Sequence, residues 1–224
     1  MNRVAMNAHT QSILVPGPAG PLECALDEPA SAPVALMVIC HPHPLYGGSM
    51  DHKVVHTLAR AGLQLGCRTL RFNFRGVGAS AGTWDGGRGE VEDALAVIAA
   101  GRAGAPSLPL VLGGFSFGGY VAAAVADRLA LRGALEAVQR LALVAPSTEK
   151  QDLPAIPAAL RDHTVVIHGE DDELVPLAAT LTWARPQRLP VTVVAGVGHF
   201  FHGQLGPLKT LLLRGLAPLP APGS

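Results

Sequence analysis

Apolar residues fall in a regular rhythm along this chain of 224 residues. Short continuous apolar runs, of strand length, alternate with longer stretches in which apolar side chains recur every three or four positions, the spacing of a helix face. Residues 34–40 form the first fully apolar run. Residues 50–65 then place Val54, Val55, Leu58, Ala61, Gly62 and Leu65 at helical spacing, with Ser49 or Asp51 as the cap. Residues 67–74 alternate as a strand, with Leu70, Phe72 and Phe74 on one side. Residues 90–101 predict a helix that turns Val91, Ala94, Leu95 and Ile98 inward. Another apolar run leads from Leu108 into Gly114-Phe-Ser-Phe-Gly118, and an alanine-rich helix over 120–131 follows. Further strands are expected at 139–144, 163–167 and 190–195, with helices at 177–185 and 204–216. Two shorter strands, 11–15 and 22–27, flank a proline- and glycine-rich turn at 16–21. They predict a hairpin at a sheet edge, where proline is tolerated.

Strands that alternate with helices specify an α/β fold: a mostly parallel central sheet with helices on both faces, and the antiparallel N-terminal hairpin at its edge. No internal repeat or interdomain linker interrupts the pattern. Residues 1–224 are therefore expected to form a single domain, with 1–10 and 217–224 as loose tails. Residues 146–162, polar and broken by prolines, leave room for a short helix but not for a separate lid.

Composition narrows the function classes. Hydrophobic residues make up 49% and charged residues 15%, in keeping with a well-filled interior. The formal net charge is zero, so no basic surplus recommends nucleic acid or an anionic membrane as partner. The N-terminal region lacks an apolar core behind a basic start, and the run at 34–40 is too short to span a bilayer. A cytoplasmic protein is expected. Its three scattered cysteines, Cys24, Cys40 and Cys67, are then reduced and buried.

The chemistry gathers at predicted strand ends. Gly114-Phe-Ser-Phe-Gly118 has the G-x-S-x-G form of a nucleophile elbow, a sharp strand-to-helix turn that lifts a serine beside a helix N-terminus. The residues two before and two after the serine come close together in such a turn, so both must be small. A serine hydroxyl needs an adjacent base, and the base needs a carboxylate to orient it. The order Ser116, Asp, His suits this fold. Asp171 and Asp172 compete for the carboxylate; Asp172 is favoured, because the segment leaves an apolar strand and Leu174-Val175 re-enter the core behind it. His199 and His202 compete for the base. His199, directly after a strand end and Gly198, is favoured, and His202 is assigned a polar place at the start of the last helix. In parallel sheets ligands bind at the carboxyl ends of strands. The motif at 41–43, Ser116, the acid pair and His199 all belong on that rim.

Together, His41-Pro-His-Pro-Leu-Tyr-Gly-Gly-Ser-Met50, Arg71-Phe-Asn-Phe-Arg-Gly-Val-Gly-Ala-Ser80, the elbow, His168-Gly-Glu-Asp-Asp172 and Gly198-His-Phe-Phe-His202 resemble the compact bacterial α/β-hydrolases. These are relatives of dienelactone hydrolase and the serine esterases without a lid domain. The resemblance covers about residues 11 to 215. It implies a serine hydrolase, points to Asp172 as the acid three residues after the glycine of H-G-x-x-D, and assigns no substrate. The nucleophile of the dienelactone-hydrolase group can be cysteine; here it is serine.

An oxyanion hole needs two N–H donors. One is expected from the backbone of Phe117. The other should come from the loop after the first apolar strand, where Pro42 and Pro44 have no N–H. Of His43, Leu45 and Tyr46, Leu45 is favoured. His41, Tyr46 and Phe200 are candidates for the substrate pocket, with His41 otherwise a buried histidine bonded within its loop. Two further signals are set aside. Gly76-Val-Gly-Ala-Ser-Ala81 fits a dinucleotide fingerprint, but poor helix material follows it. His52 and His56 have the spacing of zinc ligands but lack the glutamate of that pattern, and are read as solvated helix residues. The expectation is a hydrolase of small carboxylic esters or thioesters, without cofactor or metal. Peptides or amides on the same residues, or a binding protein on a hydrolase scaffold, are the alternatives.

Overall fold

Residues 35–40 are all buried, and a strand with no polar face must be covered on both sides. The computed structural model, which describes residues 9–148 and 150–219, places this strand inside an eight-stranded sheet. In chain order the elements are β1 (Gln11–Gly17), β2 (Gly20–Asp27), β3 (Ala35–Cys40), α1 (Lys53–Gln64), β4 (Cys67–Phe72), α2 (Arg88–Arg102), β5 (Leu110–Phe115), α3 (Phe117–Leu131), β6 (Val138–Val144), β7 (Thr164–Gly169), α4 (Leu177–Ala184), β8 (Val191–Val194) and α5 (Leu205–Leu216). The sheet order is β1-β2-β4-β3-β5-β6-β7-β8. The pairs from β4 through β8 are parallel, and the hairpin joins antiparallel through β2 and β4.

Alternation along β3 divides the core. Leu36, Val38 and Cys40 pack with Val91 and Val97 of α2 and Val121 and Val125 of α3. Ala35, Met37 and Ile39 pack on the opposite face, with Val54 and Leu58 of α1 and Leu208 and Leu212 of α5. Both faces are thus covered, as the strand pattern requires. The three cysteines are free and buried, and burial pushes the Cys67 thiol up to about 12.

Local differences from the sequence reading have simple causes. The hairpin strands run through the predicted turn, pairing Pro16 with Pro21 and Gly17 with Gly20. The ladder admits both prolines because β1 is the edge strand and the β2–β4 pairing begins only at Cys24. Helix α1 starts at Lys53 and is capped by His52, whose Nδ1 accepts the Val54 N–H, not by Ser49 or Asp51. Residues 217–219 are not loose: the Pro218 carbonyl accepts a bond from Arg140 Nη2 (2.7 Å), and Leu219 packs on the α1–α5 cluster. The rest of that tail and residues 1–8 lie outside the described residues. Among the described residues, the segment before β7 holds a 3-10 turn, Ala158–His163, and no longer helix.

The polar side of β4 turns inward. Arg71 is fully buried; its Nη1 donates to the Met50 carbonyl (3.0 Å) and lies 2.6 Å from His56 Nε2 and 3.3 Å from Asp51 Oδ1. Its Nη2 is 3.6 Å from the buried carboxylate of Asp27. Asn73 accepts the Met50 N–H and donates to Glu23. This network ties the segment leading into α1 to the sheet and the hairpin. The zinc-spaced pair is accordingly not solvated: His56 is buried against Arg71, and His52 stacks on Phe115 with ring centroids 5.0 Å apart. No group of three or more potential metal ligands occurs among the described residues. No described helix is long and apolar enough to cross a membrane.

Candidate active site

β3 lies between β4 and β5, so successive connections leave it in opposite directions and open a crevice at the carboxyl ends of β3 and β5. A cavity of about 400 Å³ occupies that rim. Ser116, between β5 and α3, lines it. The serine backbone has φ 56° and ψ −120°, a conformation that costs roughly 1–3 kcal/mol for a residue with a side chain. The surroundings impose it. The Ser116 N–H donates to the Val144 carbonyl (2.9 Å), and its carbonyl accepts from Gly119 (2.9 Å) and Ser147 (3.1 Å). A Cβ on Gly114 would collide with the Gly118 carbonyl, and one on Gly118 with the Cys40 carbonyl. The elbow therefore closes only with glycine at both positions, and it packs directly on the end of β3.

The candidate acid and base, Asp172 and His199, come from the loops after β7 and β8. Those loops are zipped together, Glu170 N–H to the Val194 carbonyl and Asp171 N–H to the Val197 carbonyl, both 3.0 Å. Asp172 is buried. Its Oδ1 accepts the N–H groups of Leu174 (2.9 Å) and Val175 (2.8 Å), and its Oδ2 lies 2.7 Å from His199 Nδ1. Burial pushes the carboxyl pKa up, but the bonds from His199 and Val175 outweigh it and hold it below the ordinary carboxylate range. Asp171 and His202 are exposed and do not join this pair. His199 lies against Phe115 and Phe200 (centroids 4.9 and 5.1 Å) and lines the same cavity as Ser116. Ser116 and His199 thus meet on one crevice, with the Asp172 carboxylate bonded to the histidine from outside it. The carboxylate fixes Nδ1 of the histidine and leaves Nε2 for proton exchange.

The other sequence-derived positions divide. Tyr46 and Phe200 line the cavity. His41 does not, a correction: it is wholly buried, donates from Nδ1 to the Pro42 carbonyl (2.6 Å) and accepts the Phe74 N–H at Nε2 (3.0 Å). It locks the loop to the segment that follows β4. Leu45 is also corrected as an oxyanion donor. Its N–H is directed to His43 Nδ1 (3.3 Å), and that of Tyr46 to the His43 carbonyl (3.2 Å). This leaves the His43 N–H, which has no acceptor among the described residues, as the loop's candidate partner to the N–H of Phe117 at the start of α3. Sequence reasoning overlooked the side chains of His52, Ser147 and Lys150 as cavity lining. For His52 a signal existed, since it closes the same loop that begins at His41; Lys150 sits in an aperiodic stretch that offers none.

A buried histidine, His41, and a half-buried one, His52, make stability depend on pH. Burial lowers His41 to about 3, and burial with the neighbouring His199 charge lowers His52 to about 4, from an ordinary 6.5. The unfolded chain binds protons that the folded chain refuses, so this contribution is full above about pH 6.5 and is lost as pH falls toward 4. Between pH 7 and pH 5 the loss from His41 alone is expected to be about 2 kcal/mol. Thermal melts at the two values check this; equal midpoints would contradict it.

The chain is similar in sequence and structure to known hydrolases. The Hydrolase_4 family model, described as serine aminopeptidase, S33, matches residues 31–164. An α/β serine hydrolase without a lid from Xanthomonas campestris is 35% identical, with a TM-score of 0.86 over 98% of this chain and 99% of that one. An α/β serine hydrolase homologue from Coxiella burnetii is 39% identical, with a TM-score of 0.82 over 96% and 100%. An uncharacterized protein of Rickettsia prowazekii is 41% identical over 108 residues, 47% of this chain and 45% of that protein, so the match spans under half of that relative's length. An esterase of Pyrococcus furiosus, 15% identical with a TM-score of 0.73, shares the fold. The strained serine of the elbow, the sheet order and these matches agree: the chain belongs to the Hydrolase_4 family and is a compact α/β serine hydrolase.

Proposed function

We propose that the protein hydrolyses carboxylic esters or thioesters of small acyl groups through an acyl-enzyme intermediate. The observation that carries the reading is His199, held by Asp172 at 2.7 Å, on the same cavity as the strained Ser116. Ser116 Oγ attacks the acyl carbon as His199 Nε2 takes its proton. The His43 and Phe117 N–H groups hold the tetrahedral oxyanion. His199 returns the proton to the leaving alcohol or thiol, then takes one from a water that attacks the acyl-serine and releases the acid. Asp172 keeps the ring in the required tautomer and stabilises its positive charge.

The family's description raises amide cleavage by the same groups. A substrate panel separates the readings: p-nitrophenyl esters and acyl thioesters of rising length against aminoacyl p-nitroanilides. Ester or thioester turnover, with stoichiometric labelling of Ser116 by a fluorophosphonate, is expected. Turnover of the anilides alone would favour a peptidase. No turnover and no labelling would mean a binding protein on a hydrolase scaffold.

A further inference from the structure

The cavity carries hydrogen-bond donors and a cation, and no carboxylate lines it among the described residues. Two histidines are set up alike. His43 Nδ1 accepts the Leu45 N–H and His52 Nδ1 accepts the Val54 N–H, both at 3.3 Å. A neutral imidazole with one nitrogen fixed as acceptor carries its proton on the other. Burial keeps both rings in the neutral form. Each therefore has an Nε2–H, and neither makes a bond from it among the described residues. Lys150 stands exposed at the cavity, its Nζ 5.4 Å from the centre of the Tyr46 ring, in no ion pair among the described residues. Its charge reaches His43 and lowers that ring further. Asp172 does not line the cavity: its oxygens face the N–H groups of His199, Leu174 and Val175.

Orientation follows from the chemistry. The leaving group must lie beside His199, which protonates it, on the side of Phe115, Phe200 and His52. The acyl group then extends away from His199 along the same cavity, toward His43, which packs on Tyr46 (4.7 Å), and Lys150, which stands over the Tyr46 ring. Resting on the acyl-hydrolase reading above, we infer that the acyl group carries a carboxylate of its own, so that the substrates are monoesters or monothioesters of dicarboxylic acids, held at the far end by Lys150 and the His43 Nε2–H. Water supplies the oxygen that ends on the acyl carbon, and the products are the diacid and the alcohol or thiol. The same lining is poorly suited to a free α-amine, which would meet a cation and donors.

The test compares the p-nitrophenyl monoester of adipic acid with p-nitrophenyl hexanoate, acyl groups of equal length. The wild type is expected to favour the anionic ester in kcat/KM at low salt. Lys150→Gln should lower the ratio of the two by about fivefold, chiefly through KM, and added salt should erode the wild-type preference in the same way, as for any exposed charge pair. Three results would overturn the inference while leaving the hydrolase reading intact, provided Ser116 is labelled and the neutral ester is cleaved: no anionic preference, a ratio unmoved by Lys150→Gln, or a preference for alanine p-nitrophenyl ester with its free amine. Failure of all ester turnover and of labelling would instead sink the hydrolase reading.

Discussion

Replacing Ser116 with alanine is expected to lower ester turnover by about a thousandfold or more, with little change in thermal stability. Two properties of the position separate these effects. The hydroxyl is the only group removed, and it makes no capping bond to α3. The backbone stays at φ 56°, since alanine meets the same steric cost as serine there. Ser116→Gly extends the test. It should lose the same activity but gain about 1 kcal/mol of stability, because glycine relieves the strain. Steady-state kinetics and melts on the two variants together read chemistry and strain separately. Turnover of Ser116→Ala within a few-fold of wild type would remove the serine from the mechanism.

The second large effect is expected far from the serine, at Arg71. Arg71→Met strips the cation from a buried site and leaves the Asp27 carboxylate uncompensated. Removing one partner of a buried ion pair costs about 3–5 kcal/mol, which for a chain of this size lowers the melting midpoint by roughly 6–20 °C. It also removes the bond from Arg71 to the Met50 carbonyl and its contacts with Asp51 and His56. If the loss arises from the stranded charge, adding Asp27→Asn to Arg71→Met should recover part of it. A midpoint within about 2 °C of wild type for the single variant would show that the network carries little energy.

Arg71 also marks where sequence reasoning ran out. The alternation of residues 67–74 gave the apolar face correctly, since Leu70, Phe72 and Phe74 all join the core. It could not say that the opposite face was buried too, because a covered polar face and a solvated one have the same period. His52 and His56 failed for the same reason: helical spacing says nothing about what packs above. The strands, helices and rim motifs were readable because each rests on a local rule, either period or the tight geometry of G-x-S-x-G. The Leu45 assignment broke down on a side chain. His43 folds back to cap the next turn and draws the Leu45 N–H to itself, and no spacing encodes that rotamer. Tyr46 and Phe200 stand within the motif stretches themselves, whereas Lys150 has only its charge to announce it.

The placement of His199 has a bearing on how the protein fails. Its loop hangs on β8, a four-residue edge strand with no fully buried residue, paired on one side only, to β7. Short exposed edges open at lower free energy than the central strands. Ser116, by contrast, is fixed between β5 and β6 in the middle of the sheet. Fraying at β8 therefore separates the base from the nucleophile while the rest of the sheet stands, so that inactivation precedes global unfolding and is reversible until the centre gives way.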